Sequence, residues 1–133
     1  MEIFDPLRKK NVALTPEEEV RQGVIRTLAR SHGVPMTMMA SEQGFTWNGL
    51  QYRADVLVYG RDAQPLMLVE CKAPSVRLSS AVIDQVLRYT RALKVKYIMI
   101  TNGKSSYLCK WSAGAGDYIF CTSMPDYDLM NEQ

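Results

Sequence analysis

Apolar residues recur first at helical spacing. Val20, Val24, Ile25 and Leu28 form one stripe, preceded by Thr15-Pro16-Glu17-Glu18 and followed by Gly33-Val34-Pro35. Thr15 can cap, Pro16 suits a first helical position, and Glu18 stands where a capping box puts its acid. The spacing therefore predicts a helix from Thr15 to about Ser31, with His32 at its end. From Met36 the period shortens. Residues 36–42 read as a strand, Trp47-Asn48-Gly49-Leu50 as a tight turn, and residues 51–59 as a second strand. Alternation puts Arg53, Asp55, Leu57 and Tyr59 on one face of it. A third strand covers residues 66–71. A second helix runs from Ser79 or Ser80 to Leu93, with Val82, Val86, Tyr89 and Leu93 as its buried seam. Residues 97–101, 106–111 and 118–121 complete the strands, with Asn102-Gly103 marking another hairpin. Residues 1–14 show little periodicity and read as a lead-in, and the tail from Pro125 reads as loosely held. The order predicts one α/β domain over residues 1–133, a mixed sheet flanked by two helices, with an acidic tail from about residue 123.

Composition narrows the chemistry. A chain of 133 residues, 47% apolar and 23% charged, is ordinary for one soluble domain. No apolar run suits a membrane span and the first ten residues lack a signal-peptide core, which predicts a cytoplasmic protein. Cys71, Cys109 and Cys121 are widely spaced and read as reduced thiols, and the one histidine leaves little for a histidine-based triad or metal site. The net charge of +2 conceals an asymmetry: from Lys72 to Lys110 the only acid is Asp84, whereas no Lys or Arg follows Asp117. A basic middle suits a polyanion, although a solvated helix face explains it as well.

The candidate site is the stretch Leu66-Met-Leu-Val-Glu70-Cys71-Lys72-Ala-Pro74. In a strand Glu70 and Lys72 share a face while Val69 and Cys71 point away, and charges at the end of an apolar strand need compensation. The bland reading is an ion pair at a strand end. With 14 acids in the chain, about 0.7 acid-x-lysine pairs arise by chance, so context decides. The neighbouring strand carries a second embedded acid, Asp55, for which pairing with Arg53 is the competing role. On helical wheels, Glu18 falls at the edge of the first helix's stripe, about 20° beyond Ile25, and Gln85 about 40° from Tyr89 at the edge of the second. Capping explains Glu18 equally well. Two carboxylates on adjacent strands are hard oxygen ligands suited to Mg²⁺ with phosphate, and a lysine beside them can stabilise growing phosphoryl charge.

The set Asp55, Glu70-Cys71-Lys72 and Gln85 resembles the PD-(D/E)XK nuclease superfamily. More closely, Thr15-Pro-Glu-Glu, Arg53-Ala-Asp-Val-Leu-Val-Tyr, Val69-Glu-Cys-Lys-Ala-Pro, Asp84-Gln-Val-Leu-Arg-Tyr and Ile100-Thr-Asn-Gly resemble the N-terminal nuclease domain of type I restriction enzyme R subunits, over about residues 5–103. The resemblance implies a restriction-endonuclease-like fold and Mg²⁺-dependent DNA cleavage, with Mn²⁺ as a substitute. It implies Asp55, Glu70 and the Cys71 carbonyl as metal ligands, Lys72 as the catalytic lysine, Gln85 as the helix glutamine and Glu18 as the first-helix acid. Arg53, Arg88 and Arg91 are the expected nucleic-acid contacts. Ala54 replaces the proline of the superfamily's name. No Gly-rich phosphate loop is present, so coupling to ATP is not expected within this chain, and other restriction subunits or a second copy are the expected partners. The alternative is a silent module that keeps the nuclease fold for DNA binding or assembly.

Overall fold

The computed structural model describes residues 1–47 and 49–132. Its strands are β1 (Glu2–Asp5), β2 (Lys10–Ala13), β3 (Met39–Trp47), β4 (Leu50–Tyr59), β5 (Pro65–Cys71), β6 (Tyr97–Thr101), β7 (Ser106–Ser112) and β8 (Asp117–Phe120). Its helices are α1 (Pro16–Ser31), α2 (Ser80–Thr90) and α3 (Tyr127–Met130). β3 to β8 form a six-stranded mixed sheet in chain order, antiparallel throughout except for β5 and β6. That parallel pair is joined by the crossover helix α2. β6 is buried along its whole length, as expected of a strand covered on both faces.

The two long helices begin where their caps dictate. The Thr15 hydroxyl accepts the Glu18 N–H at 3.1 Å, and Ser79 does the same for Val82 at 3.4 Å. α1 ends at Gly33, whose φ of +68° takes the left-handed region, while the Val34 N–H returns to the Leu28 carbonyl at 3.0 Å. Val20, Val24, Ile25 and Leu28 then pack on one face of the sheet with Val56, Val58, Val69 and Cys71. Ile83, Val86 and Leu87 of α2 pack on the other with Leu57, Leu68, Ile98 and Ile100.

Several expectations are corrected. The lead-in is a β-hairpin, with Glu2 paired to Ala13 and Asp5 to Lys10; strands of four residues are too short to show a period. Residues Met36–Met38 form a single 3₁₀ turn, so β3 starts at Met39 and runs on to Trp47. Trp47 pairs with Leu50 across the expected turn, of which Asn48 lies outside the described residues. Of the expected α2 seam Val86 and Leu93 are buried, but Ile83, Leu87 and Thr90 complete it in place of half-buried Val82 and of Tyr89, which is 56% exposed. The tail is docked, not loose. Tyr127 and Met130 of α3 are buried in the α1-side core, the Tyr127 hydroxyl donates to the Tyr59 carbonyl at 2.7 Å, and Asp128 meets Arg61. Two apolar anchors at i and i+3 suffice in an otherwise acidic segment. Among the described residues no helix is long and apolar enough to cross a membrane.

Candidate active site

β4 and β5 part company where the charges begin. Their ladder runs from Val58 and Met67 to Val56 and Val69, and beyond it the Asp55 carboxylate takes the place of backbone: its Oδ2 accepts the Cys71 N–H at 2.6 Å. On β4, Leu57 and Tyr59 pack on the α2 side as alternation from Asp55 predicts, yet so do Tyr52 and Ala54. The alternation slips by one around Asp55, opposite Glu42 of β3, which holds a φ of +47°. This local turn opens the sheet. On the far edge β5 stays attached, since the Lys72 N–H donates to the Thr101 carbonyl at 2.8 Å. In an extended strand the N–H and C=O of one residue share an edge, so the Cys71 carbonyl faces the gap where Asp55 sits.

The gap is the floor of a cleft of about 640 Å³. Asp55, Glu70, Lys72, the Cys71 backbone side and Arg53 line it from the strands, and Val82, Gln85, Val86 and Tyr89 from α2. Glu70 and Lys72 do share a face, with the Lys72 Nζ 3.3 Å from Glu70 Oε1. Burial pushes the Glu70 carboxyl above its ordinary range, and the negative charge of Asp55 adds to this, with Lys72 only partly opposing. Cys71 turns its thiol to the α1 core, where burial pushes it upward and out of the reactive range.

The first-helix acid at the cleft is Glu17, not Glu18. Glu18 is 5% exposed and saturated: its Oε1 accepts from Arg8 at 2.6 Å and Arg21 at 2.7 Å, and its Oε2 from Gln22 at 3.0 Å. It therefore does not complete a capping box, and it reaches the site only through Arg21. The Arg21 Nη2 donates to Asp55 Oδ1 at 3.2 Å and to Glu42 Oε1 at 3.3 Å, while its buried Nε finds no partner. Arg21 was legible in principle. At 100° per residue it falls between Val20 and Ile25, inside the apolar stripe of α1, where a charge needs a partner. Arg88 and Arg91 are exposed and do not line the cleft; Arg91 is engaged by Asp117 through two bonds of 2.8 and 3.1 Å. Arg53 is at the rim, 3.6 Å from Glu42.

Asp55, Glu70, Lys72 and Gln85 line one cleft, and the family model for the type I restriction enzyme R protein N terminus (HSDR_N) matches residues 16–125. The chain belongs to this family. Two solved structures share its fold. One is a fragment of a protein described as an HsdR subunit of a type I restriction enzyme from Vibrio vulnificus YJ016, at a TM-score of 0.58 and 20% identity, covering 90% of this chain and 25% of that one. The other is a protein described as a nuclease belonging to DUF820 from Anabaena variabilis ATCC 29413, at a TM-score of 0.51 and 8% identity, covering 92% of this chain and 76% of that one. Among curated proteins none matches. This chain thus spans about a quarter of the length of the Vibrio fragment.

The donor set of this R-subunit domain fits a hard divalent cation. Among the described residues no three His, Cys, Asp or Glu side chains converge on one point, so Asp55, Glu70 and the Cys71 carbonyl are the protein oxygens at the cleft floor, with Glu17 at its wall. That is the sparse set Mg²⁺ accepts, since it retains waters and takes oxygens from phosphate. Glu70 is raised first by burial and then by the charge of Asp55, and a cation between the two carboxylates would offset both.

Proposed function

We propose that this domain hydrolyses phosphodiester bonds of DNA with Mg²⁺, or Mn²⁺ in its place, as the nuclease module of a type I restriction R subunit. The observation that carries this reading is the convergence of Asp55, Glu70 and Lys72 in one open cleft, with Glu70 held above its ordinary range by burial and by Asp55. Asp55, Glu70 and the Cys71 carbonyl would hold the cation. When bound, it would supply charge neutralisation at the phosphate and a bound water more acidic than bulk water.

The remaining roles belong to side chains of the chain itself. Lys72 holds a positive charge 3.3 Å from Glu70, where it can donate to a nucleophilic water or to a phosphoryl oxygen as charge develops. Gln85 presents an uncharged amide from the facing helix, able to donate and accept, and so to orient that water without competing for the cation. Glu17 adds a carboxylate at the cleft wall. Arg21 fixes one oxygen of Asp55, while the Cys71 N–H holds the other. Val82, Val86 and Tyr89 give one wall an apolar surface against which a sugar or base can lie.

Mg²⁺-dependent relaxation of supercoiled plasmid tests the reading. Lys72→Ala and Glu70→Gln should each cost about 10²-fold or more in rate. Isothermal titration with Mn²⁺ should show Glu70→Gln losing binding that Lys72→Ala retains. Equal cleavage by all three proteins would mean contamination and end the proposal. Binding of DNA without cleavage or metal dependence would favour the silent module. On the same reading DNA and other restriction subunits are the partners, and the cytoplasm is the place of action.

A further inference from the structure

Beyond β5 the loop 73–79 and the β6–β7 turn wall a second groove of about 530 Å³, which shares Val76 with the cleft. Its lining is polar and lacks any carboxylate: Arg77, Lys104 and Ser75, Ser80 and Ser105 stand out, and Tyr107 closes one end. Arg77 and Lys104 are exposed, and among the described residues neither lies within ion-pair distance of an acid. Among the other cations near the site, Arg88 of α2 is likewise without an ion pair among the described residues, whereas three are paired. Lys72 is paired with Glu70, Arg53 with Glu42, and Arg91 with Asp117.

The groove is also pre-built. Asn102, 5% exposed, donates from Nδ2 to the Val76 carbonyl at 2.8 Å and accepts the N–H groups of Lys104 at 2.9 Å and Ser105 at 2.8 Å on Oδ1. One buried amide thus ties the two walls together. The Gly103 N–H donates to Thr101 Oγ1 at 3.1 Å, and the Gly103 φ of +85° is the conformation that lets the turn close. Lys104 and Arg77 therefore project from fixed backbone.

We propose that this groove is a subsite for the sugar-phosphate backbone of the DNA strand that enters the cleft, with Arg77 and Lys104 each neutralising a phosphate away from the bond to be cut. The identity of the ligand rests on the nuclease reading; the location rests on the unpaired cations, the absence of acid and the Val76 wall shared with the cleft. Serine hydroxyls and two flexible cations recognise phosphate and carry no base code, so the contribution is independent of sequence and sensitive to salt.

The test is fluorescence anisotropy of a labelled 30-base-pair duplex with the full chain in EDTA, so that nothing is cut. Arg77→Ala/Lys104→Ala should weaken binding roughly tenfold near ~100 mM salt and lower the slope of log K against log salt by about 1.8. A charge-matched control, Lys10→Ala/Arg61→Ala, should stay within about twofold. Unchanged affinity and slope in the groove variant, or a wild type that binds no duplex even at low salt, overturns the proposal. Displacement of the duplex by millimolar inorganic phosphate with a salt slope near one would mark a small-anion site and overturn it as well. The nuclease reading fails separately, if Lys72→Ala cleaves plasmid as fast as wild type while the groove variant still loses binding.

Discussion

Asp55 has charged neighbours on two sides, and the two groups are satisfied very differently. Behind it, Arg8, Arg21, Glu18, Gln22 and Asp5 form a buried network in which Glu18 takes three donors and Asp5 takes Arg8 and the Leu7 N–H. In front of it, Glu70 has one cation at 3.3 Å and a second carboxylate as neighbour. The same residue types therefore do opposite things. In the network the carboxylates already carry their donors, with the Arg21 Nε alone unpartnered, and it holds the hairpin β1–β2 to α1. An unsaturated pair is a standing electrostatic cost that a bound cation removes. Asp55 belongs to both, since Arg21 grips one oxygen while the other lies at the cleft with the Cys71 N–H.

The largest test of this contrast is stability. Glu18→Gln or Arg21→Met removes charge-assisted hydrogen bonds from a buried network whose other members keep partners, and should cost ~1.5–3 kcal/mol, read as the midpoint and slope of urea unfolding. Glu70→Gln removes a partly desolvated charge that repels Asp55, and it should leave the unfolding midpoint unchanged or raised while abolishing Mn²⁺ binding. If Glu70→Gln proved as destabilising as Glu18→Gln, the cleft would be structural and the comparison would collapse.

The next effect is in pH, where the two regions have opposite signs. Burial works to raise Asp5, but the bonds from Arg8 and the Leu7 N–H outweigh it and hold the group below its ordinary value. The unfolded chain then binds more protons, so this stabilisation is present above the ordinary Asp range and is lost as pH falls through the folded value. Glu70 is raised, first by burial and then by Asp55, so the folded chain binds more protons and stability declines as pH rises from the ordinary Glu value through the raised one. Subtracting the unfolding curve of Asp5→Asn from that of wild type should therefore give a difference that grows with pH. The same subtraction with Glu70→Gln should give a difference that shrinks or turns negative. Curves of the same sign would refute the division.

This division explains what the sequence could and could not reveal. Asp55, Glu70 and Lys72 stand out because they interrupt apolar strands, where a charge has few innocent uses. The order of the main strands and helices follows from period and caps alone. Glu18 misled because a helical wheel gives an angle but not a partner: its partner Arg8 arrives from a hairpin whose four-residue strands carry no periodic signal. The α2 seam was misread at Val82 and Tyr89 because they look like core side chains, yet they wall an open cleft. The groove cations Arg77 and Lys104 are far apart in sequence and meet only through the buried amide of Asn102. Pairing also separates them from Arg91, which charge alone cannot distinguish.

The smallest expected effect concerns Glu42, which touches both regions. It faces Arg8 and Arg21 at 3.3 Å on the network side and Arg53 at 3.6 Å on the cleft side, and its side chain is 40% exposed. At that exposure water screens each contact, and Arg8 and Arg21 retain Glu18 as a closer partner. Glu42→Gln should therefore cost ~0.5 kcal/mol or less. If the network and the cleft are independent, Mn²⁺ affinity should move by less than about twofold, and a double-mutant cycle with Glu18→Gln should be additive to within ~0.5 kcal/mol. Strong coupling in that cycle would have a specific meaning. Arg21, released from Glu42, would then shift on Asp55, and the saturated side would be setting the geometry of the unsaturated one.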